Sequence, residues 1–267
     1  MASVAPKSVA AEVSEARKAI EDSMYSTYVV DQFSSEKLRR RIQSVLSQPG
    51  LSNSHKAILH HELAYLFGIL GKFPEAMEQA SIMADYGIGQ VAAGYAMAHL
   101  AQLNGQVSIS RGIIEDLSKA EHLADSPAGL LAAHQAMSGM LKDALKNTSP
   151  SVVHFDHINS AVKILDAIGV GDIEVTMRLD TACQVIRENI NHPILAYKLF
   201  AMEGEGILYR YVVNSPVDDL IAINDKVLDA LPDHHEGPLD RELSICVTPW
   251  SDIENLGAVE AFHVSIV

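Results

Sequence analysis

Apolar side chains recur at helical spacing along most of the chain and at strand spacing only toward its end. Val9, Val13, Ala16 and Ile20 share one face of a stretch from about Ser8 to Ser23, which predicts a first helix. Leu38, Ile42, Val45 and Leu46 do the same for a second, opened by Ser34-Ser35-Glu36-Lys37 and closed by Gln48-Pro49-Gly50. Phe155, Ile158, Val162, Leu165 and Ile168 predict a later amphipathic helix, and Val175, Leu179, Cys183 and Ile186 another. The period then falls to two. Ile194–Phe200 and Ile207–Val213, joined by Met202-Glu203-Gly204-Glu205-Gly206, predict a β-hairpin. A helical hairpin is the alternative, since Gly204 and Gly206 would also serve an interhelical turn. Ser215-Pro216-Val217-Asp218 predicts a helix start with a hydroxyl cap and proline in its first turn, and Leu220, Ile223, Val227 and Leu228 supply one face. Leu243–Val247 and Phe262–Val267 would complete a short antiparallel sheet.

Between these flanks the chain repeats itself. Gly71, Gly105 and Gly139 stand 34 residues apart. Seven residues before each is an alanine (Ala64, Ala98, Ala132), and two before each is a large apolar residue (Ile69, Leu103, Met137). Two after each comes Phe73, Val107 or Leu141, and five after each a small residue, Ala76, Ser110 or Ala144. These columns describe a helix-turn-helix. The alanine lets two axes approach, the glycine adopts the positive φ that ends the first helix, and the small residue packs back one turn into the second. In the best copy, Leu66 to Met77, Pro74 and Glu75 suit the first turn of a second helix. In the third, Asn147-Thr148-Ser149-Pro150 cuts that helix short.

Residues 54–147 resemble the tetratricopeptide-repeat family, whose period is 34 residues. The expected fold is mainly α, a TPR-like helical hairpin array followed by a small α+β C-terminal unit. The expected organisation is a flexible tail over 1–12, a helical repeat domain over 13–150 with copies near 57–90, 91–124 and 125–150, and the α+β unit over 151–267. The resemblance further implies a concave groove lined by first-helix residues. Carried over by position, these are His61, Tyr65 and Gly68 in the first copy, Tyr95, His99 and Gln102 in the second, and Gly129, Ala133 and Ala136 in the third. Tyrosine and histidine offer apolar bodies with polar tips, which suits a bound peptide. A helix or the C-terminal unit of the same chain could equally fill the groove. No lysine or arginine cluster occupies these positions, which argues against a clamp for a terminal carboxylate.

Charge and composition narrow the partner. A formal charge of −14 argues against nucleic acid, which calls for a cationic surface. The one basic cluster, Lys37 to Arg41, reads as a solvated helix face. No apolar run reaches the ~18 residues needed to span a membrane, and no secretory signal is read in residues 1–12. Cys183 and Cys246 lie in apolar patterns and are expected to be buried, reduced thiols of a cytoplasmic protein.

Candidate chemistry is sparse. Three histidine clusters stand out: His60-His61-Glu62, His154 to His157, and Asp233-His234-His235-Glu236. Adjacent helical residues diverge by about 100°, and neither HExxH nor a Cys/His zinc spacing occurs, so no metal or other cofactor is expected. Glu203-Gly204-Glu205-Gly206 carries two negative charges and no lysine, so it reads as a turn, not a phosphate loop. No nucleophile motif occurs, and no catalytic residue is assigned. The expectation is therefore a protein-protein interaction module, adaptor, chaperone-like or regulatory, binding a protein or peptide partner. A homo-oligomer is compatible with it. The alternatives are an acidic neutralising protein of antitoxin or immunity type, and an enzyme or small-ligand sensor in the C-terminal unit.

Overall fold

The computed structural model describes residues 8–27, 29–119, 129–148, 155–194, 196–249 and 262–265. The first seven residues of the expected tail, together with Ala128, Ser149, Pro150, His154 and Val267, lie outside them. The chain divides into two compact units, Met1–Leu100 and Ala101–Val267, well before the boundary expected at residue 150.

In the first unit, helix α1 (Val9–Thr27) packs against α2 (Gln32–Leu46) and α3 (Asn53–Ile69), and α3 forms a hairpin with α4 (Phe73–Met83). The buried stripe of α1 is Ala10, Val13, Ile20 and Met24, with Val9 outside it and 44 % exposed. Helix α2 begins earlier than expected because the Asp31 carboxylate, not a serine hydroxyl, caps it by accepting the Ser34 N–H at 2.9 Å. Ser52 caps α3 in the same way through His55 N–H. Pro74 and Glu75 fall in the first turn of α4, where proline and a carboxylate are both favoured. The chain then kinks at Gly87, whose φ is 93°, and α5 (Gln90–Leu103) runs across the division between the units.

In the second unit come α6 (Val107–Leu117), α7 (Leu130–Met137), α8 (Leu141–Asn147), α9 (Phe155–Ala167) and α10 (Asp172–Asn189). Then follow strands β1 (Ala196–Met202) and β2 (Gly206–Val213), helix α11 (Val217–His234), and strands β3 (Leu243–Pro249) and β4 (Phe262–Ser265).

The spaced glycines end their helices as their positions require. Gly71, Gly105 and Gly139 have φ of 69°, 65° and 75°. The N–H groups just beyond them, on Lys72, Gln106 and Met140, bond back to the carbonyls of Phe67, Ala101 and Gln135 at 2.9, 2.8 and 2.8 Å. The alanines before them, Ala64, Ala98 and Ala132, and the small residues after them, Ala76, Ser110 and Ala144, are no more than 1 % exposed. A fourth turn of the same geometry joins α9 to α10, where Val170 N–H bonds to Leu165 O at 2.9 Å. It lacks the alanine column, and so carries no repeat signal.

The β-hairpin is present, so the helical alternative for 194–213 falls away: β1 and β2 pair antiparallel from Ala196↔Val212 to Met202↔Gly206. The sheet order is β3-β2-β1-β4. One expectation is corrected, because the sheet is mixed: β3 runs parallel to β2. A helix of 18 residues, α11, separates them and supplies the crossover that a parallel pair needs. Ser215 does not cap α11, whose N-terminus carries only Pro216 and the first-turn carboxylates Asp218 and Asp219. Leu220, Ile223 and Val227 face the core, whereas Leu228 is 63 % exposed. Cys183 is buried as expected, but Cys246 is only half-buried.

Candidate functional site

Three of the expected groove residues come together in the first unit. The Tyr65 hydroxyl and His99 Nδ1 share a hydrogen bond of 2.9 Å, 34 residues apart in sequence. The His61 ring lies 4.7 Å from that of Tyr65, and the His99 ring 5.7 Å. The other two, Tyr95 and Gln102, also belong to α5. Tyr95 is buried within α5. Gln102 belongs to the second unit, where its amide Nε2 donates to His134 O at 3.3 Å and Ser138 Oγ at 3.2 Å, while Oε1 meets His134 Nδ1 at 3.0 Å. Of the third-copy positions, Gly129 precedes α7, and the Ala136 carbonyl accepts the Tyr209 hydroxyl at 2.9 Å. The Ala133 carbonyl faces the Tyr197 hydroxyl at 3.5 Å. The sheet of the same unit thus occupies that face.

The residues around Tyr65 come from α1, and sequence periodicity did not point to them. Arg17 donates to the Glu62 carboxylate through Nε and to Glu21 through Nη1. Its guanidinium also sits 5.2 Å from the centre of the Tyr65 ring, within reach of a cation–π interaction. The Ser14 hydroxyl donates to Glu62 at 2.8 Å, and His61 Nδ1 lies 3.3 Å from the same oxygen. Glu62 is 4 % and Glu21 7 % exposed. Helix α1 therefore meets α3 at Glu62 and at the first-copy position Tyr65, through a charged network and not through apolar contact alone. One signal was readable: Arg17 continues the spacing Ala10, Val13, Ile20, Met24, so α1 carries a cation inside its buried stripe. A buried cation requires an anion on the element it meets, and Glu62 supplies it.

Burial and neighbouring charge set four groups of the cluster. Burial pushes the Glu62 carboxyl up, but the His61 hydrogen bond, the Arg17 charge and the Ser14 hydroxyl outweigh it and hold the group at about 2. Burial raises Glu21, since desolvation exceeds the attraction of Arg17. Burial also lowers His99 to about 4, helped by the nearby charges of His61 and Arg17, and lifts Tyr65 to about 12. His99 and Tyr65 are thus neutral at pH 7 and Glu62 and Arg17 charged.

The histidine clusters do other things. His60 stacks on Tyr86 with ring centres 5.4 Å apart and bonds Gln79 through Nδ1 at 2.8 Å. His157 packs on Phe200 at 4.9 Å and places Nδ1 against the backbone of Ala201. His235 bonds Thr181 at 2.8 Å, with His234 edge-on to it. Among the described residues no three His, Cys, Asp or Glu side chains converge as a metal site would require, and no helix is long and apolar enough to cross a membrane. No protein family, curated protein or solved structure matches this chain at a significant level.

Proposed function

We propose that this chain is a cytoplasmic protein-interaction module built on tetratricopeptide-like hairpins, whose first-copy groove receives an amphipathic helix. The observation that carries this reading is the seating of α1 on α3, with Arg17 from its apolar stripe engaging Glu62 and the Tyr65 ring. Helix-in-groove recognition uses apolar anchors at i, i+3 and i+7, and α1 offers that spacing in Ala10, Val13 and Arg17, then Ile20 and Met24. A partner helix with a cation among its anchors would satisfy the same groove by displacing α1. Glu62, held ionised near pH 7, is the charge that either occupant would meet.

The test is affinity purification from the native host with three baits. Relative to wild type, Arg17→Ala should recover more of a specific partner, because α1 is loosened while Glu62 stays available. Tyr65→Ala should recover less. Equal recovery of every protein by all three baits would remove this groove from the account.

A further inference from the structure

We infer that the second unit binds one structural water, held by the Tyr211 hydroxyl in a cavity between Gln102 and the sheet. The cavity measures about 10 Å³, and its walls include Gln102, Met137, Tyr197 and Tyr211. None of these four residues is more than 6 % exposed, so the space is shut off from bulk solvent. A volume of roughly 10–15 Å³ is what a single water needs, and the water stays where two to four polar groups hold it.

Tyr197 and Tyr211 stand directly opposite each other on β1 and β2, so both rings leave the same face of the sheet. On that face Tyr197 and Tyr209 each bring a hydroxyl to a carbonyl of α7. The Tyr211 hydroxyl does not. Its oxygen is buried, and among the described residues it meets no hydrogen-bond partner of proper geometry. The Cys183 thiol lies close to it, but a thiol accepts only weakly. Burial pushes the phenol well above its ordinary range, so Tyr211 keeps an O–H to donate. A buried hydroxyl without an acceptor is costly and rare, and the cavity at this side chain is where an acceptor fits.

A water there accepts from Tyr211 and has two protons to give. One goes to Gln102 Oε1, whose oxygen carries two lone pairs and spends one on His134 Nδ1. The other goes to the Tyr197 oxygen, whose own bond to Ala133 O is long at 3.5 Å. Three bonds is the usual number for a buried water. The remaining wall residues Val107, Met137 and Ile194 are apolar and direct it to these three groups. Since Gln102 is the second-copy groove position, the water completes the closure of that position by the sheet. The site stands apart from the Arg17–Glu62 contact and does not depend on the first-copy reading.

A high-resolution crystal structure of the full chain should show one ordered water within hydrogen-bond reach of the Tyr211 hydroxyl. Tyr211→Phe removes the donor that anchors it, so the unfolding constant in urea titration should rise about fivefold. An unpartnered hydroxyl predicts the opposite, because deleting it leaves stability unchanged or raised. A well-ordered Tyr211 with no density beside its hydroxyl overturns the inference. So does a Tyr211→Phe protein at least as stable as wild type. If that variant does not fold, the wild-type density decides alone.

Discussion

Replacing Arg17 with methionine keeps a long apolar stem in the buried stripe of α1 and removes the charge. Glu62 and Glu21, 4 % and 7 % exposed, then face each other without their cation. Removing one partner of a buried ion pair costs about 3–5 kcal/mol, because the charge left behind is desolvated and uncompensated. Ser14 and His61 still bond to Glu62, which places the expected loss near the lower end, about 3 kcal/mol. The loss has a pH signature. In wild type the depressed Glu62 group, at about 2 against an ordinary 4.5, adds stability that is present above pH 4.5 and is lost as pH falls toward 2. The gap between wild type and Arg17→Met should therefore be widest above pH 4.5 and narrow below it. Adding Glu62→Gln to the variant removes the stranded charge and should recover about half of the loss or more. Urea titration followed by far-UV circular dichroism, with hydrogen exchange of the α1 and α3 amides, measures each quantity. A loss under about 1 kcal/mol at pH 7, or a double variant no more stable than Arg17→Met, would refute the role given to the pair.

His99, held at about 4 by burial against an ordinary 6.5, favours the fold in its neutral form, so stability should fall by roughly 3 kcal/mol between pH 6.5 and 4. His99→Gln should flatten that decline, and an imidazole that titrates near pH 6.5 by nitrogen NMR would contradict it. Gly139→Ala would put a Cβ 2.8 Å from Thr176 N at a φ of +75°, whereas at Gly50, φ +82°, the same Cβ meets nothing within 4 Å. Thermal denaturation should show a loss of about 1–2 kcal/mol for Gly50→Ala and about 1–3 kcal/mol more for Gly139→Ala. The Asn224 side chain accepts the Val247 N–H at 2.7 Å and donates to its carbonyl at 3.3 Å, closing part of the edge of β3. Asn224→Leu should cost about 1–3 kcal/mol and promote association at high concentration, which light scattering would detect.

The helices and the hairpin were legible because their causes are local. A glycine that must take positive φ, an alanine that must fit between axes and an apolar residue every third or fourth position are read from neighbours in sequence. Gly71, Gly105 and Gly139 all took the conformation their spacing implied. What depended on distant partners was harder to read. Helix α1 was legible, but not that Arg17 would meet Glu62 across 45 residues. The expected groove residues His61, Tyr65 and His99 do converge, but that α1 would bring Arg17 to the Tyr65 ring was hidden, since periodicity states which face is buried and not against what. The parallel pairing of β3 had a readable clue in the helix between two strands, but alternation alone is the same for either direction. The division at Leu100 and Ala101 had no marker, because α5 runs through it without a breaker.

The position of β1 bears on the order in which the second unit can be completed during synthesis. Its partner along one edge, β4, begins at Phe262, some 66 residues after Ala196. At about 5–20 residues per second, that edge waits roughly 3–13 s for the strand that closes it. His157 is made before β1 and places its ring against the Ala201 backbone, so the far end of the edge can be covered as soon as it forms. The stretch Ala196–Leu199, which β4 later pairs, is the part left to capture another nascent chain in that interval.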